Sequence, residues 1–216
     1  MRMRNRRSAL NSNLILHDDD VFEGYPVNKK HRPLIRNYLE ELHDLVLRAI
    51  DRNSKTLVIG VCLRIPEEIT EIRRGPMPAF TASFKAQLDH HAKMTEKRGT
   101  RAHRHDLRYA WAKERNRSEH DHYHLMLFLN GHAYHTAGSI NADEGNIAAR
   151  LSKAWASALR LYQDDVEGLV HITDEKMAYR DNREDLEDVF HWASYLCKEK
   201  TKHYGGNGKS FVCSQN

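Results

Sequence analysis

Two stretches, LRYAWAKE from Leu107 to Glu114 and HYHLMLFLN from His122 to Asn130, decide how this chain is read. Each is an extended-looking run rich in apolar and aromatic residues, and the polar segment Arg115 to Asp121 between them reads as a turn, so the pair predicts a β-hairpin. Alternate side chains of a strand share a face, which puts His122 and His124 together and turns Tyr123 and Leu125 the other way. Glu114 ends the first strand and brings a carboxylate beside the two imidazoles. A set of nitrogen and oxygen donors, Glu114, His122 and His124, with open positions points to a catalytic Mg²⁺ or Mn²⁺ rather than a closed structural zinc.

Upstream of the hairpin, Leu34, Tyr38, Leu42, Leu45 and Ala49 recur at helical spacing and predict a helix from about His31 to Ile50. Thr56 to Leu63 is dense in β-branched and apolar residues and stops before Pro66, which predicts a buried strand. Phe80, Phe84, Leu88 and His91 behind Pro78 predict a second helix to about Lys97. Downstream, Ile147, Leu151, Trp155 and Leu159 mark a third helix, Gly168 to Thr173 a short strand, and Leu186 to Lys202 a last helix before a glycine-rich tail. This order predicts an α+β layer sandwich with a largely antiparallel sheet.

Residues 1 to 20 read as a flexible basic and polar arm, and residues 21 to 216 as one domain, since 216 residues at 40% hydrophobic content suffice for one core. The balance of 34 Lys and Arg against 30 Asp and Glu leaves only +4, so the whole-molecule field is a weak argument for nucleic acid and local clusters carry more. Such clusters stand at Met1 to Arg7 and at Lys198, Lys200, Lys202 and His203. Three scattered cysteines give neither a disulfide framework nor a thiolate metal site. No apolar run approaches the roughly 18 residues of a membrane helix, and the basic N-terminus lacks a signal core, so the expected location is the cytoplasm, with no membrane partner.

On the last predicted helix, Leu186, Val189, Phe190, Ala193, Leu196 and Cys197 form one apolar stripe, with Tyr195 roughly opposite and His191, Lys198 and Lys202 within about 60° of that tyrosine. A phenol among ammonium groups is a candidate nucleophile, and a lysine one turn away can offset charge on a phosphate under attack. A plain solvated helix face is the alternative.

The spacing Glu114-x7-His122-Tyr123-His124, an apolar strand, and then Tyr195-x-x-Lys198 resembles the HUH endonucleases that start rolling-circle replication. The strings FEGYPV near Phe22, LRIP near Leu63, YAWAKE ending at Glu114, HYHLMLFLN, AWASAL near Trp155 and SYLCKEKTK near Tyr195 resemble the inovirus gene-II-like replication proteins, the YagK/YfjJ family, over about residues 21 to 214. The resemblance implies a ferredoxin-like or RRM-like antiparallel sheet of HUH type with packed helices. It further implies that single-stranded origin DNA is nicked, that Tyr195 becomes joined to a 5′ phosphate, and that strands can be rejoined. Lys198 is then expected to offset charge at the reacting phosphate, and Lys202, Lys200 and Arg115 to contact DNA, with a host helicase and polymerase as partners.

Several alternatives stay open at this level. Tyr204 and Tyr179 are other candidate nucleophiles, His103 with His105 is a weaker metal pair, and His120 is a substitute ligand. Tyr109 and Trp111 either stack bases or fill the core. A non-catalytic nucleic-acid-binding remnant of a phage replication protein and a structural zinc protein are the competing functions.

Overall fold

Ten consecutive residues, Lys55–Arg64, eight of them buried, form the strand around which the molecule is arranged. Both of its faces are covered, which is why its sequence is a continuous apolar run and not an alternation. The computed structural model describes residues 6–69, 75–115, 121–139, 145–202, 204 and 209–215. In chain order the elements are β1 (Leu16–His17), β2 (Val21–Phe22), β3 (Tyr25–Pro26), β4 (Leu34–Ile35), α1 (Arg36–Arg52) and β5 (Lys55–Arg64). There follow α2 (Met77–Lys97), β6 (Arg108–Glu114), β7 (His122–Asn130), α3 (Ile147–Leu159), β8 (Val170–Tyr179), α4 (Arg183–Ala193) and β9 (Phe211–Cys213). The result is an α+β protein whose main sheet has the order β8-β5-β7-β6-β9, every neighbouring pair antiparallel.

Strand alternation sorts the core into two layers. Leu57, Ile59, Val61 and Leu63 of β5 join Tyr123, Leu125, Leu127 and Leu129 of β7 beneath Phe80, Phe84, Leu151 and Trp155 of α2 and α3. The opposite face carries Val58, Ala110, Ala112, Met126 and Phe128, covered by Leu39, Leu42 and Val46 of α1 and Val189, Phe190 and Ala193 of α4. His122, His124 and Glu114 share the parity of this second face, so the sheet delivers them on the α1 and α4 side. Asn146 and Asn182 start α3 and α4 by accepting from the backbone N–H groups of Ala149 and Glu184, the usual work of an N-cap asparagine.

Gly60, on the same face, lets α4 approach. A Cβ there would lie 2.5 Å from Thr173 Oγ1 and 2.6 Å from Trp192 Cζ2, so no side chain fits without displacing the helix. Gly60→Val is expected to cost about 1–3 kcal/mol through overpacking, read as a lowered urea midpoint.

Several elements differ from the sequence expectation. The first long helix begins at Arg36, because Leu34 and Ile35 are taken as a strand by Leu16 and His17. Of the expected arm, residues 6–20 carry a bridge from Arg7 to Ile15 and bury Leu14 against the domain. The fourth strand runs on to Tyr179, and the tail contributes β9 to the edge of the sheet. The last helix stops at Ala193 and passes into a 3-10 turn, Ser194–Cys197, instead of continuing to Lys202. Beyond that turn the backbone is claimed elsewhere: Leu34 bridges Lys198, Glu114 bridges Lys202, and Thr201 adopts φ 79°, outside the helical region. Among the described residues no helix is long and apolar enough to cross a membrane.

Candidate active site

The hairpin register sets Glu114 opposite His122, and His124 follows two residues on. His122 Nε2 lies 3.9 Å and His124 Nε2 3.6 Å from Glu114 Oε2, and one donor atom from each of the three falls within 4.8 Å of the others. Glu114 is fully buried, yet its carboxylate is well partnered. Lys198 Nζ is 2.8 Å from Oε2, Thr201 donates its hydroxyl to the same oxygen at 3.0 Å, and Lys202 donates to Oε1 at 2.9 Å.

These contacts fix the charge states. Burial pushes the Glu114 carboxyl up, but the ammonium groups of Lys202 and Lys198 outweigh it and hold the group below the ordinary carboxylate value. Burial lowers both histidines, His124 to about 4, against the opposing pull of Glu114. Near neutral pH both imidazoles are therefore uncharged, with a lone pair free for coordination, and their approach to Glu114 is not an ion pair. The donor set fits a divalent cation: two neutral imidazoles and an ionised carboxylate converge. One carboxylate also faces two ammonium groups, which leaves an excess of positive charge that suits a phosphodiester.

Tyr195 comes to this cluster from the 3-10 turn. Lys198 Nζ donates to its hydroxyl and lies 3.6 Å from its ring centroid. The ring also meets the edges of His124 and His31, with centroids 5.3 and 4.8 Å apart. The turn is pinned from both sides, since Ser194 Oγ accepts from Asn28 N at 2.8 Å and donates to His191 O, while Leu196 and Cys197 are buried in the core. A phenol held this way has little conformational freedom left to lose.

The family model for the YagK/YfjJ C-terminal domain matches residues 17–214. The chain belongs to the YagK/YfjJ C-terminal domain family. It is 28% identical over 199 residues to the uncharacterized protein YagK of Escherichia coli strain K12, covering 86% of this chain and 95% of that protein. It is 25% identical over 194 residues to the uncharacterized protein YfjJ of the same strain, covering 82% and 93% respectively. No solved structure matches it.

In this YagK/YfjJ domain the expected site residues separate into two groups. Glu114, His122, His124, Tyr195 and Lys198 come together. Lys202, expected on a DNA phosphate, does not reach the surface: its side chain is wholly enclosed and holds Glu114. The reason is the turn after Cys197, which folds Lys202 back onto the end of β6. Lys200 is exposed, and Arg115, also exposed, pairs with Asp121 at 2.8 Å.

Tyr179 stands opposite Lys55, at the other end of β5 from Arg64 and His122, about 30 Å away at a strand's rise per residue. Burial raises the Tyr204 phenol, which disfavours its phenolate. The His103 and His105 pair is spent otherwise, as His105 Nδ1 accepts from Leu107 N and Nε2 pairs with Asp89 at 2.9 Å. Trp111 is buried and Tyr109 packs against the α2 and α3 layer, away from the site. His120, His203 and residues 1–5 of the basic arm lie outside the described residues. Sequence reading missed His31 and Thr201, whose roles arise only from contacts made across the fold.

Proposed function

We propose that this YagK/YfjJ-family protein is a metal-dependent single-strand DNA endonuclease and strand transferase of the HUH type, a phage-type initiator of rolling-circle replication. The observation that carries the reading is one ammonium group: Lys198 Nζ contacts both the Tyr195 hydroxyl and Glu114 Oε2, so phenol and candidate metal ligands form a single site. The sequence of elements β5-α2-β6-β7-α3-β8, with the order β8-β5-β7-β6 in the sheet, supports a ferredoxin-like core.

In the proposed reaction the Tyr195 phenol loses its proton, its oxygen bonds to phosphorus, and the bond from phosphorus to the 3′ oxygen breaks. That oxygen takes up a proton, leaving a free 3′ hydroxyl and a 5′ phosphotyrosine. The ester is retained, so the reverse attack rejoins strands without an added energy source. Lys198 stands where charge develops on the phosphate, and His31 and His124 orient the phenol ring. Glu114, His122 and His124 would hold Mg²⁺ or Mn²⁺, which when bound supplies positive charge to a non-bridging phosphate oxygen. A half-buried tyrosine packed against the core reaches only a backbone free of its partner strand, which favours single-stranded origin DNA as substrate. A host helicase to expose the strand and a polymerase to extend the 3′ end follow as partners, in the cytoplasm.

The test is to incubate the protein with a pool of random single-stranded 40-mers and Mn²⁺ and to look for a protein–DNA species that survives SDS. Chelation with EDTA is expected to abolish it while leaving far-UV circular dichroism unchanged. His122→Ala is expected to lower adduct formation more than about 100-fold, with the fold intact, since partners of a metal site typically matter at about 10–100-fold and a ligand matters more. Persistence of the adduct in EDTA, or its absence with wild-type protein under all these conditions, would remove the reading.

A further inference from the structure

A second cluster of positive charge lies at the opposite end of β6 from the site. A cavity of about 370 Å³ opens there, lined by Arg52, Arg104, Arg108 and Lys85 together with Asp89, Asp106 and His105. The two acids are committed. Asp89 takes Lys85 at 2.7 Å and His105 at 2.9 Å, and Asp106 lies 3.7 Å from Arg52 Nε. Among the described residues neither Arg104 nor Arg108 has an ion-pair partner within 4 Å, and Arg108 Nη1 is buried with no hydrogen-bond partner. An unsatisfied buried guanidinium nitrogen is costly, and such groups normally meet an anion or water. Burial pushes the Arg108 guanidinium below its usual value, and its neighbours Arg48 and Arg52 on α1 add to this against the opposing pull of Asp106, so like charges outweigh the opposite charge beside it.

We propose that the cavity beside Arg108 is a binding site for a backbone phosphate of a polynucleotide, with Arg108, Arg104 and Arg52 as its ligands. The inference rests on the nuclease reading only for where the strand goes next. Arg108 and Glu114 are six residues apart on one strand, about 20 Å in a straight line, and because Ala110 and Ala112 between them are buried under α1, a polynucleotide passing around that layer needs more than about six nucleotides at the rise of a stacked strand. A strand cut at Tyr195 and gripped at Arg108 is thus held at two points, and the second grip reads no base.

The experiment measures binding of fluorescein-labelled dT20 by anisotropy, in EDTA, across a range of NaCl concentrations. Binding in EDTA depends on neither cleavage nor a divalent ion. Arg108→Gln is expected to weaken binding and to lower the slope of log K against log salt by about 0.7 per lost phosphate contact. Arg104→Ala provides a second variant that spares the fold, because its side chain is exposed and only its backbone carbonyl serves Asn130. Lys153→Ala, on the exposed side of α3, is the control for a mere change in net charge.

A slope unchanged in both arginine variants overturns the proposal, as does an equal drop in Lys153→Ala. Loss of thermal stabilisation by inorganic phosphate in the arginine variants, with the dT20 slope unchanged, also overturns it, since the cavity would then take a free anion. A reduced slope alongside wild-type protein that forms no adduct would leave the phosphate site standing and remove the nuclease reading.

Discussion

Tyr195→Phe is expected to eliminate the SDS-resistant DNA adduct, a loss of at least about 10⁴-fold, while the protein keeps its stability and its affinity for single-stranded DNA. The substitution removes one oxygen and little else. The ring retains its edge contacts with His31 and His124, and Lys198 keeps its 2.8 Å contact with Glu114 Oε2, so no buried charge is stranded. A loss of adduct without a shift in melting temperature therefore reports the nucleophile itself. The other tyrosines weighed from the sequence offer no substitute. Tyr179 stands at the far end of the sheet, and burial works against a phenolate at Tyr204. An adduct that persists in Tyr195→Phe would remove the assignment, and mapping the attached peptide would name the true nucleophile.

The sequence was most legible where a residue's neighbours along the chain determine its fate. The strand His122–Asn130 has the boundaries read from its apolar run, and Glu114 ends its partner as expected. Period-two alternation brings the two imidazoles onto one face, and antiparallel pairing supplies the carboxylate, so three site residues follow from local pattern alone. The second half of β8 escaped because exposed Asp174 and Glu175 and half-buried Lys176, which pairs with Asp185 and Asp188, sit on the edge strand of the sheet and break any apolar signal.

The final segment failed for another reason. Helical spacing placed Tyr195, Lys198 and Lys202 on one solvated side, whereas they are neighbours because the chain leaves the helix at Ala193 and bridges back to Leu34 and Glu114. The juxtaposition of Tyr195 with Lys198 was correct; its cause was not. Lys202 was misplaced by the same step, since a residue on a solvated helix face and a residue sealed against a buried carboxylate look alike in a charge run.

Lys202 carries the second large expectation: Lys202→Met should cost about 3 kcal/mol of stability, because the buried Glu114 Oε1 loses its donor while Lys198 and Thr201 still hold Oε2. Its side chain and that of Glu114 are both fully enclosed, so neither charge has water to fall back on. The two partners pull in opposite directions. The neighbouring ammonium groups win over burial at Glu114 and hold its carboxyl low, whereas burial wins at Lys202 and lowers its ammonium despite Glu114. The pair as a whole is therefore a poor source of stability, and what is costly is breaking it.

That distinction is measurable. In denaturant titrations the double variant Glu114→Gln/Lys202→Met should be less destabilised than the sum of the two single changes by about 0.5–3 kcal/mol. Additive losses would mean that the two groups do not sense one another. Lys202 also anchors the turn that carries Lys198 and Thr201 to Glu114, through its bridge to that residue. Lys202→Met should thus slow adduct formation at temperatures where the variant is fully folded, although Lys202 touches no substrate. Supplying more Mn²⁺ should not restore the rate, because the defect lies in where Lys198 and Tyr195 are held; full rescue by Mn²⁺ would make Lys202 a tuner of metal affinity and not a positioning residue.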